Sequence, residues 1–170
     1  MSAAVQRVLL LCGGVGGAKL ARGFYLCAPQ VDLSLVINVG DDFEHLGLSI
    51  CPDIDTVSYT LAGIADTRRG WGLDNESWRT LDRLSALGAE DWFRLGDLDL
   101  ATHLYRTAAL RSGQRLSQVT RRLADRLGIR AGLFPATDDT LRTRLDTDRG
   151  VLDFQHYFVR ERCAPIVRDI

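Results

Sequence analysis

Val8-Leu9-Leu10-Leu11-Cys12-Gly13-Gly14-Val15-Gly16-Gly17-Ala18-Lys19-Leu20 runs an apolar strand straight into four glycines and then the only lysine of the chain. Without Cβ atoms, Gly13, Gly14, Gly16 and Gly17 let the backbone turn through positive φ and aim several N–H groups at one anion. A helix starting near Ala18 adds its positive end. The run therefore reads as a phosphate cradle, with a plain strand-to-helix turn as the alternative. It matches neither G-x-G-x-x-G, which needs glycine where Lys19 stands, nor G-x-x-x-x-G-K-[ST], so no particular nucleotide cofactor follows from it.

Working outward, Val5 to Leu11 is a first strand, apolar on both faces as a buried parallel strand would be. Ala18 to Cys27 forms a helix that Pro29 stops, and Leu33 to Val39 is a second strand ending at Gly40, Asp41 and Asp42. Strand, helix and strand make a βαβ unit of an α/β fold, whose ligand site lies beyond the carboxyl ends of the strands. Pro52 and Asp53 then open a helix carrying Ile54, Val57, Leu61 and Ile64 on one stripe, with Asp53 or Asp55 in its first turn. Asp74 or Asn75 is expected to cap a helix through Trp78, Leu81, Leu84 and Leu87. Leu104 to Leu110 and Ser117 to Leu127 read as further helices. Leu141 to Leu145 and Val151 to Val159 flank Asp146-Thr147-Asp148-Arg149-Gly150, a hairpin signal.

With 170 residues, 46% hydrophobic and 25% charged, the chain is expected to form a single domain over residues 1–170. A formal net charge of -1 supplies no basic field for nucleic acid or an anionic membrane. Its apolar stretches are too short to span a bilayer, and residues 1–7 lack the pattern of a secretory leader. Cys12, Cys27, Cys51 and Cys163 are widely spaced without a C-x-x-C pair, which argues against zinc and for reduced thiols in the cytoplasm. Twenty arginines stand against one lysine, which makes the point charge of Lys19 after the glycine loop conspicuous.

Acids gather as Gly40-Asp41-Asp42, Asp53-Ile54-Asp55, Gly96-Asp97-Leu98-Asp99 and Asp138-Asp139. Adjacent or alternate carboxylates beside an anion cradle suit a Mg²⁺ shared with a diphosphate. Helix capping remains the alternative for Asp53 and Asp55, and turn formation for the Asp41 and Asp138 pairs.

Gly13-Gly14-Val15-Gly16-Gly17-Ala18-Lys19, Asn38-Val39-Gly40-Asp41-Asp42, Cys51-Pro52-Asp53-Ile54-Asp55-Thr56-Val57, Arg69-Gly70-Trp71-Gly72, Leu95-Gly96-Asp97-Leu98-Asp99, Thr102-His103 and Phe154-Gln155 together resemble the 2-phospho-L-lactate transferase (CofD-like) family in order and spacing. The resemblance implies a Rossmann-like three-layer α/β/α fold with a mainly parallel sheet. It also implies a Mg²⁺-dependent transfer of a phospholactyl or phosphoenolpyruvyl group from a guanosine diphosphate-linked donor. The acceptor is the ribityl hydroxyl of the deazaflavin Fo, GMP leaves, and the product is a precursor of a deazaflavin coenzyme.

On that resemblance, Gly13, Gly14, Gly16, Gly17 and Lys19 hold phosphates, and Asp41, Asp42, Asp53 and Asp55 are the pool for Mg²⁺ and for the acceptor hydroxyl. Asp42 is favoured for metal and catalysis, and Asp55 for acceptor binding and catalysis. Trp71 stacks on the flat deazaflavin or plugs a packing gap. Asp97, Asp99 and His103 match a family motif, with a structural role open for His103. Relatives carry a basic residue where Leu98 stands, a charge that Arg94 could supply. The resemblance further implies a chain about twice as long, so that the C-terminal half of the family fold is missing. Exposed core surface and dimerisation are the expected consequences. A non-catalytic nucleotide or deazaflavin binder is the alternative to an active transferase.

Overall fold

A computed structural model describes residues 5–28 and 30–170, so the expected helix stop at Pro29 lies outside the described residues. The chain runs β1 (Arg7–Cys12), α1 (Gly14–Cys27), β2 (Asp32–Ile37), β3 (Phe43–His45), β4 (Leu48–Ile50), α2 (Pro52–Ala62) and α3 (Arg79–Ala86). It continues through α4 (Asp97–Arg111), α5 (Leu116–Arg126), β5 (Gly132–Pro135), β6 (Arg144–Thr147), β7 (Gly150–Asp153), a π-helical turn over His156–Arg160 and β8 (Val167–Asp169). The fold is α/β. Its central sheet is parallel with order β1-β2-β5, pairing Leu10 with Leu35 and Leu35 with Leu133.

One face of this sheet is covered. Leu10, Leu35, Ile37 and Leu133 pack with Ala18 and Ala21 of α1, Ile54 and Val57 of α2, and Ala124 of α5 in one apolar cluster. The expectation that β1 is buried on both faces is corrected here: Leu9 is 62% and Leu11 78% exposed. Strand periodicity turns alternate residues to opposite sides, and the described chain supplies helices to one side only.

Other boundaries also differ from the sequence reading. α1 begins at Gly14 rather than near Ala18, so three of the four glycines lie inside its first turns. α3 begins at Arg79, without a cap from Asp74 or Asn75. α4 starts at Asp97, a full two turns before Leu104. The hairpin at Thr147–Gly150 is present, but β7 stops at Asp153 and a π-helical turn replaces the rest of the expected strand. The β3–β4 hairpin was not anticipated. Its turn places Leu46 at φ 52 and Gly47 at φ 72, the positive-φ pair of a two-residue hairpin loop, with leucine where asparagine is the recognisable signal.

Candidate active site

Parallel pairing brings the carboxyl ends of β1 and β2 to one edge, and α2 starts beside them. Gly13 leaves β1 extended and Gly14 enters α1 at φ 56. A Cβ on Gly13 would lie 2.5 Å from Asp53 Oδ2 and 3.0 Å from the Cβ of Asn38, so this position stays bare because the Asp53 side chain fills the space. Asn38 Nδ2 donates to Asp53 Oδ2 at 2.9 Å, while Asn38 Oδ1 accepts the Gly40 N–H at 3.0 Å, fixing the loop that carries Asp41 and Asp42. Burial raises the Asp41 carboxyl above its ordinary range and the charge of Asp53 adds to this, against a hydrogen bond with Asn38. The start of α1 has neither a side-chain cap nor an acid in its first turn. The Asp53 carboxylate therefore lies against a helix start that no side chain caps, with Asp41 near enough to feel its charge.

The remaining loop residues divide by role. A Cβ on Gly17 would come within 2.8 Å of the Cys12 Cβ, so Gly17 serves close helix–strand packing, whereas Gly16 faces open space. Lys19 is exposed, and no hydrogen bond or ion pair involves it among the described residues.

Asp42 lines a cavity of about 230 Å³ with Val39, Phe43, Cys51, Leu116 and Arg142. Burial pushes its carboxyl up to about 7, opposed by a hydrogen bond with Cys51 and the charge of Arg106. One of its oxygens, Oδ1, is buried without a hydrogen-bond partner. Burial likewise raises the Cys51 thiol well above its usual range.

Beyond Ile50, a cleft of about 60 Å³ is lined by Asp55, Trp71, Phe93, Arg94, Asp99 and His103. Five residues singled out from the sequence, Asp55, Trp71, Arg94, Asp99 and His103, thus meet at one place. Sequence reasoning missed the residue beneath them. Arg106 is fully buried and donates through Nη1 to Asp55 Oδ2 at 3.0 Å, to the Ser49 carbonyl at 3.3 Å and to His103 Nδ1 at 3.2 Å. Its Nη2 pairs with Asp55 Oδ1. Guanidinium only donates, so His103 Nδ1 accepts and the ring proton sits on Nε2, which lies 3.2 Å from Asp99 Oδ2 in poor alignment. Tyr59 donates to Asp99 Oδ1 at 2.7 Å. Burial by itself would raise Asp99, but His103 and Tyr59 hold it below the ordinary carboxylate range. Asp99, His103 and Arg106 recur at helical spacing on one face of α4, a signal present in the sequence.

Metal fit separates the two regions. Asp55, Asp99 and His103 have ligand atoms within 4.8 Å of one another, but Arg106 already neutralises Asp55 and occupies His103 Nδ1. Among the described residues no cation pairs with Asp41 or Asp53, which present oxygens, the donor set that Mg²⁺ takes. Asp97 is engaged elsewhere: it accepts from Ser77 Oγ and from the Arg79 and Thr80 N–H groups at 3.2 and 3.0 Å, capping α3 and falling to about 2 through those bonds. Glu76 returns the arrangement by accepting from the Leu98 and Asp99 N–H groups at 2.8 and 2.7 Å. Trp71 is 41% exposed and meets Trp78 edge-on at 6.2 Å, and Arg94 lies 4.5 Å over the Trp78 ring.

The family described as 2-phospho-L-lactate transferase CofD matches residues 8–170. Proteins named phosphoenolpyruvate transferase are similar: that of Nocardia farcinica is 46% identical, covering 92% of this chain and 49% of its own. Those of Streptomyces coelicolor and Mycobacterium tuberculosis are 42% and 44% identical, with 51% and 54% of their lengths matched. The chain spans about half the length of the curated relatives it matches. The crystal structure of a UPF0052 family member from Bacillus halodurans shares the fold at a TM-score of 0.54 and 15% identity, covering 98% of this chain and 50% of that one. No helix among the described residues is long and apolar enough to cross a membrane.

Proposed function

Since this chain belongs to the 2-phospho-L-lactate transferase CofD family, we propose that it carries the phosphate-holding part of a transferase acting in deazaflavin coenzyme biosynthesis. The observation that carries the reading is the uncapped start of α1 at Gly13–Gly14, set against Asp53, Asn38 and Asp41 at the carboxyl edge of a parallel sheet. The names of the relatives favour a phosphoenolpyruvyl group over a phospholactyl one. The donor is a guanosine diphosphate-linked enolpyruvate and the acceptor is the terminal ribityl hydroxyl of Fo. That oxygen bonds to the phosphorus bearing the enolpyruvyl group, the bond from this phosphorus to the GMP oxygen breaks, and GMP leaves.

Phosphoryl-type transfer asks for alignment and charge neutralisation more than for covalent chemistry. The backbone of Gly13, Gly14 and Gly16 receives the diphosphate, with Lys19 adding positive charge from the second turn of α1. Mg²⁺ bound at Asp41 and Asp53 would supply charge neutralisation at the diphosphate. Asp42, poised near neutrality, takes the proton of the acceptor hydroxyl. Trp71, with Arg94 at its side, receives the deazaflavin over the cleft whose floor is Asp55, and Arg106 holds that carboxylate in place through their ion pair.

Incubation with Fo, guanosine diphosphate-linked enolpyruvate and Mg²⁺ tests the reading. GMP release that falls at least a hundredfold in Asp42→Asn is the expected result. Nucleotide binding without turnover would favour the second reading, a non-catalytic binder. Unaltered nucleotide affinity in Asp53→Asn would remove the glycine edge from the site.

A further inference from the structure

The segment between β5 and β6 is tied down along its length. The Ala136 N–H donates to the Ile37 carbonyl at 2.8 Å, and the Thr143 N–H donates to the Gly40 carbonyl at 2.7 Å, next to Asp41 and Asp42. Between them Asp138 accepts from the N–H and the hydroxyl of Ser117 at 2.7 and 2.8 Å, at the start of α5. Arg142 stands on this tethered backbone, exposed and with no hydrogen bond or ion pair among the described residues. A group held on a fixed backbone loses less freedom when it binds.

Arg142 lines the cavity of about 230 Å³ that Asp42 also lines, and it is the one cation in that lining. Val39, Phe43 and Leu116 give the cavity an apolar wall, and Asp42 Oδ1 is buried without a hydrogen-bond partner. Asp138 borders the same space, but Ser117 engages both of its oxygens, and Asp139 is exposed. Among the described residues, only Asp55, Asp99 and His103 bring ligand atoms close enough to share a cation, and none of them lines this cavity. One unpaired guanidinium beside an apolar wall suits a small organic anion, because the guanidinium fork matches the paired oxygens of a carboxylate.

The proposed reaction brings such a group to this place. Phospholactyl and phosphoenolpyruvyl both carry a carboxylate on the carbon attached to the phosphate oxygen. Asp42 can take the proton of the acceptor hydroxyl only if the phosphorus under attack lies near it. The substituent on that phosphorus then has the cavity shared by Asp42 and Arg142 to enter. Resting on that reading, we infer that this cavity receives the transferred three-carbon group, with Arg142 pairing with its carboxylate and Val39, Phe43 and Leu116 walling its uncharged carbon. Ile50 borders both this cavity and the Trp71 cleft, so donor and acceptor meet from two sides at one point. Arg142 is thereby a specificity residue for a carboxylate-bearing group, whether lactyl or enolpyruvyl.

The test titrates the whole chain calorimetrically with three nucleotides: guanosine diphosphate, guanosine diphosphate-linked enolpyruvate, and the methyl ester of the latter, which lacks the negative charge. The parent chain should bind the free acid about fivefold more tightly than the ester, a modest factor because Arg142 is exposed before binding. Arg142→Met should abolish that preference, and Arg142→Lys should keep part of it. Affinity for guanosine diphosphate should change less than twofold in both variants. Equal binding of acid and ester by a parent chain that binds guanosine diphosphate would overturn the inference and leave the phosphate-holding reading standing. A parallel loss of all three nucleotides in Arg142→Met, with an unchanged urea midpoint, would overturn it too and assign Arg142 to the phosphates. A parent chain that binds none of the three would overturn the phosphate-holding reading and this inference together.

Discussion

Asp42 links stability to pH in an unusual direction. Its carboxyl titrates near 7 in the folded chain and near 4 when unfolded, so the folded state holds the extra proton between those values. Stability therefore falls as pH rises from about 4 to about 7, by up to about 4 kcal/mol for a shift of three units. Urea denaturation should show a smaller loss of stability between pH 4 and pH 7 in Asp42→Asn than in the parent chain, with the variant the more stable at pH 8. A second contrast lies in the glycine run. Gly13→Ala drives a methyl group into Asp53 and Asn38 and should cost about 1–3 kcal/mol. Gly16→Ala meets open space inside α1 and should gain about 0.5–1 kcal/mol while weakening nucleotide binding. The glycine turn and its neighbouring acids were legible in the sequence because strand, loop and helix follow one another directly. The separate reasons for the four glycines were not, since each depends on what the backbone meets in space.

α4 organises the second region by holding Asp99, His103 and Arg106 toward α2 and β4. Arg106 ties Asp55, on another helix, to the carbonyl of Ser49 on β4, so the hairpin and both helices share one buried charge pair. Removing one partner leaves an uncompensated charge, and Arg106→Met should cost about 3–5 kcal/mol. Asp55→Asn combined with Arg106→Met should cost less than the sum of the two single variants, as read from a double-mutant cycle of urea midpoints. The i, i+4, i+7 spacing of the three α4 residues was visible in the sequence. Their partner was not, because Asp55 is 51 residues away and nothing local pairs it with an arginine rather than a metal. The motif around Asp97 shows the same dependence: it reads as a site, but its carboxylate caps α3 while Glu76 caps α4.

At the scale of the molecule, one helical layer covers a parallel sheet and the other face lies open. The chain by itself should bind a hydrophobic dye at this face. Leu9→Thr with Leu11→Thr should lower the dye signal severalfold while moving the melting temperature little, since neither side chain has much burial to lose. By itself the sequence determined the α/β class, the βαβ start, the glycine edge and the gathering of acids beyond the strands. Those follow from interactions between neighbours: strand periodicity, glycine conformations and the polarity of helix ends. Only the tertiary structure decided that Asp55 belongs to Arg106, that Asp53 belongs to the glycine turn, and that Leu9 and Leu11 face outward. A carboxylate takes its role from the cation or donor that reaches it, and an apolar strand is buried only where another layer exists to cover it.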